Sequence, residues 1–179
     1  MRRSFLTLVV GLLCGVSWSQ AASAVETVGL DEYRSLCHET TGFDEYLARA
    51  TAQGWSSAGQ EVAPILDNLV VKTPVRTAYL KKSAAGGGIV LARITEGKPR
   101  DVLARKQVGC FVRIIVPELR PDLRQGFHNL MGRPPKESGT GKGGTVDYWM
   151  SVTRMRAHMF WNEPMDDGRH IMTFLVVDM

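Results

Sequence analysis

Ser138-Gly139-Thr140-Gly141-Lys142-Gly143-Gly144-Thr145 is the stretch of this 179-residue chain that comes nearest to a phosphate-binding loop. Such a loop needs Gly-x4-Gly-Lys followed by Ser or Thr: backbone amides cradle the phosphates, the lysine reaches them and the hydroxyl holds magnesium. Measured from Gly141-Lys142, the leading glycine position is Lys136 and the hydroxyl position is Gly143. Both fail, so nucleotide binding is not expected. What remains is a set of glycine-exposed amides with Lys136 and Lys142, which suits a carboxylate or a phosphate without specifying either. The segment from Arg133 to Gly144 reads as a polar loop, and long loops in small domains often bind ligands.

Arg154, Arg156 and His158 alternate with Met155, Ala157, Met159 and Trp161. On a strand this lines three cationisable groups along one face, either as the solvent side of a half-buried sheet or as a track for an anion. Of the four histidines, His38, His128, His158 and His170, no two have His-x3-His or His-Glu-x-x-His spacing, so no metal site is expected. A hydrolase-like site could still be assembled from His158 and His170 across a final hairpin, with Asp166 and Asp167 at its turn. Gly-x-Ser-x-Gly is absent, and no cofactor is implied by any motif.

Cysteine chemistry depends on the compartment. The chain opens with Arg2-Arg3, an apolar run from Phe5 to Val16 and then Ala22-Ser23-Ala24. A run of that length is too short for a spanning helix, which needs roughly 20 residues, and the three parts match an export signal. Residues 1–24 are therefore expected to be cleaved, leaving a periplasmic or secreted single domain over 25–179 with no transmembrane span. Arg2-Arg3-Ser4-Phe5-Leu6 also resembles the twin-arginine export pattern, without its usual lysine. Cys14 lies inside the apolar run behind Leu12-Leu13, which fits an apolar filler better than a lipid-attachment site. Cys37 and Cys110 remain, and an even pair in an exported chain is expected to form one disulfide.

The elements that must carry these residues follow from hydrophobic period. Leu30, Tyr33, Leu36 and Cys37, then Phe43, Tyr46, Leu47 and Ala50, recur at helical spacing, and Pro64 limits a third helix to a start near Ala63. Strand-like runs follow over Thr77–Lys82, Gly88–Thr95 and Val102–Val116. A helix then carries Leu123, Phe127 and Leu130, with Pro121 in its first turn and Gly132 at its end. Val146–Trp161, with a bulge expected near Ser151–Thr153, and His170–Val177 complete the chain as a hairpin. The expected fold is α+β: N-terminal helices, a three-stranded antiparallel meander, a helix and a C-terminal β-hairpin, forming one antiparallel sheet covered by helices.

Charge is distributed unevenly along the chain. Residues 25–71 carry a net −6, residues 72–142 a net +10 and residues 143–179 a net −2. A basic middle suits an unknown protein or an anionic envelope component as partner. Nucleic acid is not expected as a partner, given the expected export signal and the scarcity of stacking aromatics in the basic stretch. The expected function is binding through a basic surface containing Lys136, Lys142, Arg154 and Arg156; a small envelope hydrolase and a structural or assembly factor are the alternatives.

Overall fold

The computed structural model describes residues 28–39, 42–66, 74–84, 88–98, 107–141, 143–153 and 155–178. The expected leader with Cys14, as well as Lys142 and Arg154, lies outside the described residues.

Eight strands form one antiparallel sheet: β1 (Ser56–Ser57), β2 (Pro74–Ser83), β3 (Ile89–Gly97), β4 (Val108–Val116), β5 (Glu137–Gly141), β6 (Gly144–Ser151), β7 (Arg156–Pro164) and β8 (His170–Asp178). Their order is β1-β2-β3-β4-β8-β7-β6-β5, so β8 returns to the centre and pairs with β4 along its whole length, from Val108↔Asp178 to Val116↔His170. This corrects the expected meander plus terminal hairpin. Two segments account for the difference. The polar stretch after Arg133 supplies an edge strand, β5, which has little apolar alternation because it buries little. The long strand expected over 146–161 is two strands, β6 and β7, joined by a reversal that includes Val152, Thr153 and Met155. No glycine, proline or asparagine marks that reversal; Met155 supplies the left-handed residue itself, with φ +48°.

Three of the helices lie on one face of the sheet. α1 (Val28–Tyr33) runs on as a π-helical turn, Arg34–His38; α2 is Phe43–Ala52, and α4 is Pro121–Met131. Pro121 opens α4, and Gly132, left-handed at φ +66°, closes it by donating its amide to His128 and Asn129. Under them Tyr33, Phe127, Trp149, Phe160 and Phe174 form an aromatic core in which Phe127 stands edge-on to Trp149 at 5.2 Å. Gly29 lets α1 come close: an added Cβ would sit 2.8 Å from Ile114 Cδ1.

The opposite face is buried as well, which the expectation of a sheet covered by helices alone did not contain. Leu66 from the short helix α3 (Ala63–Leu66) packs there with Leu91, Phe111, Leu175 and Val177. Burial on both faces explains why β3, β4 and β8 are buried at successive positions instead of alternate ones.

Candidate functional site

Cys37 and Cys110 form the disulfide, both wholly buried, and it ties the end of the π-helical turn to β4. The carbonyls at that helix end lack intrahelical partners. Arg156 of β7 serves them: Nη1 donates to the His38 carbonyl at 2.7 Å and Nη2 to that of Cys37 at 3.4 Å. Its Nε lies 2.7 Å from Asp178 Oδ1, and Tyr46 joins the pair by accepting from Nη2 at 3.2 Å and donating to Asp178 Oδ2 at 3.0 Å. Burial works against the charge of Arg156, but Asp178 and the two tyrosines outweigh it and raise its pKa. Burial also raises the Asp178 carboxyl against the pull of Arg156.

Two residues further along β7, His158 lies on the same face, and its Nδ1 is 2.7 Å from the hydroxyl of Tyr33 on α1. That hydroxyl is also 3.4 Å from the Leu175 carbonyl, and burial holds the phenol well above its ordinary pKa, so it keeps its proton. The His38 and His158 rings lie 5.3 Å apart. Beyond α4, Arg133 is held from both sides: the Trp149 indole donates to its carbonyl at 2.9 Å and its own Nη2 donates to Met150 O at 2.8 Å.

These groups converge on a cleft of about 240 Å³ lined by His38, Leu130, Met131, Arg133, Ser151, Arg156 and His158. Among the described residues its ionisable lining is two guanidiniums and two imidazoles, with no carboxylate. Such a cleft can receive an anion through charge-assisted hydrogen bonds. Nucleophilic chemistry has less support, because among the described residues the Ser151 hydroxyl pairs with Thr153 Oγ1 at 3.4 Å, whereas a nucleophile–base pair would link it to His158.

A second polar cluster contains serine, histidine and aspartate but is wired differently from a catalytic triad. Asp147 of β6, 0% exposed, receives Arg124 Nε and His128 Nε2 on Oδ2 at 2.6 and 2.8 Å, and Arg124 Nη2 and Ser138 Oγ on Oδ1 at 2.8 and 2.6 Å. Burial pushes this carboxyl up, yet the donors from Arg124, His128 and Ser138 outweigh it and hold it well below the usual carboxylate range. Serine and histidine each bind the aspartate and not one another, so the cluster is a staple from α4 to the β5–β6 hairpin.

Of the residues singled out in the sequence, Arg156 and His158 meet in the cleft, 6% and 8% exposed, on the helix-covered face and not the solvent side. Lys136 is exposed, and its backbone amide donates to Tyr148 O at 2.8 Å as the chain enters β5. Gly144 of the glycine stretch has a backbone duty: φ is +95°, and a Cβ there would lie 1.7 Å from Asn162 O. The four-residue hydrolase site is not assembled. His170 sits six positions along β8 from Val176, the partner of His158, which is about 20 Å at roughly 3.3 Å per residue. His170 instead contacts Asn162 Oδ1 at 3.2 Å, and Asp167 pairs with Arg169 at the exposed hairpin turn that also carries Asp166.

Sequence reasoning missed His38, which stands at no ligand spacing; Tyr33, which reads as core; and Asp147, whose signal was one acid among the inward positions Thr145, Asp147, Trp149 and Ser151. Among the described residues, no three His, Cys, Asp or Glu side chains are grouped to hold a metal ion, and no helix is long and apolar enough to cross a membrane. Comparison with protein-family models, curated proteins and solved structures finds no match to this chain.

Proposed function

We propose that this chain is an exported binding protein that receives an anionic group of its partner in the cleft between α4, the end of α1 and the β6–β7 reversal. The observation that carries the reading is the convergence of Arg133, Arg156, His38 and His158 on one cleft whose lining includes no acid among the described residues. Export is supported by the leader-like N-terminus and by the buried disulfide, which an oxidising compartment maintains. The volume is below the roughly 300–1,000 Å³ of drug-sized pockets, which suits a small anion or the charged end of a larger molecule.

Arg133 is the cation to test, because Arg156 also caps a helix end. In calorimetric titrations with sulfate, Arg133→Gln should weaken binding roughly tenfold or more, the scale of a charged hydrogen bond. Arg169→Gln, at the exposed turn of the β7–β8 hairpin, should leave it unchanged. Equal losses from both substitutions would reduce the effect to general charge, and the cleft would not be the site.

A further inference from the structure

We infer that the anionic group received by the cleft is the phosphate of an acidic phospholipid that stays in its bilayer, with Val152 and Met155 of the β6–β7 reversal entering the lipid beside it. The inference rests on the anion-binding reading above and adds the source of the anion and the apolar contact that accompanies it.

The reversal stands at the mouth of the cleft. Val152 follows Ser151 and Met155 precedes Arg156, so each is one Cα step, about 3.8 Å, from a residue of the cleft lining. The Met155 amide closes the turn by donating to Val152 O at 3.3 Å. Val152, 74% exposed, is the most exposed large apolar side chain among the described residues, and Met155 is 47% exposed. Met155 also holds left-handed backbone at φ +48°, which glycine or asparagine adopts with less strain. Neither side chain belongs to either hydrophobic core. The fold therefore gains nothing from apolar residues at these two positions, and a contact outside the chain accounts for them.

The size of the cleft decides what that contact is. About 240 Å³ admits a phosphate with the polar part of a headgroup but not acyl chains, since it is smaller than the pockets that enclose drug-sized ligands. The chains of a lipid bound by its phosphate remain outside, where Val152 and Met155 project; Leu130 and Met131 give the cleft wall itself an apolar part. A lipid held in this way is not extracted. Two short side chains on a turn reach the boundary between headgroups and hydrocarbon and go no deeper.

Arg133 faces the same surface. It is exposed, and its Nη2 donates to Met150 O at 2.8 Å, where β6 runs into the reversal. A guanidinium beside an apolar tip is complementary to an acidic bilayer, in which phosphates overlie hydrocarbon. A zwitterionic lipid carries the same phosphate but places a quaternary ammonium next to it, which repels the guanidinium. Acidic lipid is therefore the preferred surface.

Co-sedimentation of the oxidised protein with vesicles tests this. Binding to phosphatidylglycerol mixed with phosphatidylcholine should be about tenfold tighter than to phosphatidylcholine alone and should weaken with salt. The double variant Val152→Ser, Met155→Asn alters exposed side chains only, and asparagine accepts the left-handed backbone. It should lose about tenfold or more in vesicle affinity, the scale of removing two apolar side chains from lipid, with its sulfate affinity unchanged. Arg133→Gln should weaken both. Glycerophosphoglycerol, the headgroup without hydrocarbon, should bind the unmodified protein and the double variant alike, and more weakly than the vesicles bind the unmodified protein. Vesicle affinity unchanged in the double variant, or no tighter than that for glycerophosphoglycerol, makes the cleft a site for a free anion; it overturns the inference and leaves the anion-binding reading standing. Absent vesicle binding with sulfate affinity intact does the same and assigns the apolar tip to a protein partner. No binding of sulfate, glycerophosphoglycerol or vesicles overturns both.

Discussion

Replacing Cys37 and Cys110 together by alanine should lower the unfolding free energy by about 4 kcal/mol, the chain-entropy value for a bridge closing a loop of this size. The two cysteines are 73 residues apart and both wholly buried, so the bridge restricts the unfolded chain without occupying surface. Alanine avoids leaving a buried hydroxyl in place of each sulfur. The effect should reach the cleft, because Cys37 adjoins His38 and both carbonyls are held by Arg156. Denaturant titration of the double variant should show the midpoint falling, and sulfate affinity should fall with it as His38 and Tyr33 lose their fixed positions. A loss below about 1 kcal/mol would show that the sheet and the Arg156 contacts hold the helix end unaided.

Asp147→Asn should cost roughly 2–3 kcal/mol, less than the 3–5 kcal/mol typical of breaking a buried pair, because the Arg124 side chain is 40% exposed and can return to water. The amide keeps the volume but offers one acceptor oxygen where the carboxylate takes four donors, so two of them lose their partner. The pH dependence has a definite sign. The Asp147 pKa is lower folded than unfolded, so its stabilisation is fully present above the ordinary aspartate value of about 3.9 and is lost as pH falls through the folded value. Denaturation of both proteins should therefore give a constant difference from pH 5 upward and a narrowing one below about pH 4. A difference that grows on acidification would contradict the staple.

Legibility of the fold followed burial. α4 was readable end to end because Pro121 and Gly132 mark its limits and Leu123 and Phe127 face one core. The bridge was readable from cysteine number and context. β5 was not, since Glu137–Gly141 runs along an edge and carries no apolar repeat. The β6–β7 reversal was hidden for a different reason: Val152, Thr153 and Met155 have strand-like composition, and only the backbone shows Met155 in the left-handed region. The second core was hidden because a strand's own residues do not specify which distant segment covers its other face, here Leu66 of α3.

For the cleft, alternation put Arg156 and His158 on one face correctly but could not say which face met the helices. Their partners, Tyr33 and His38, lie more than 100 residues earlier, and that pairing arises only because β8 and the disulfide bring α1 over β7. Lys136, conspicuous in a glycine-rich stretch, does not line the cleft, whereas Arg133 at the start of the same segment does.

Under the proposed function the cleft, and not basic charge in general, receives the anion. A second, larger cleft of about 550 Å³ carries Lys81 and Lys82, the latter paired with Glu32 at 2.9 Å, and offers the natural comparison. The most direct measurement is an amide chemical-shift map of the ¹⁵N-labelled, oxidised protein titrated with sulfate at pH 6. Saturable shifts concentrated at His38, Arg133, Ser151, Arg156 and His158 are the predicted result. Shifts concentrated at Lys81 and Lys82, or a linear drift spread over the basic surface, would contradict it.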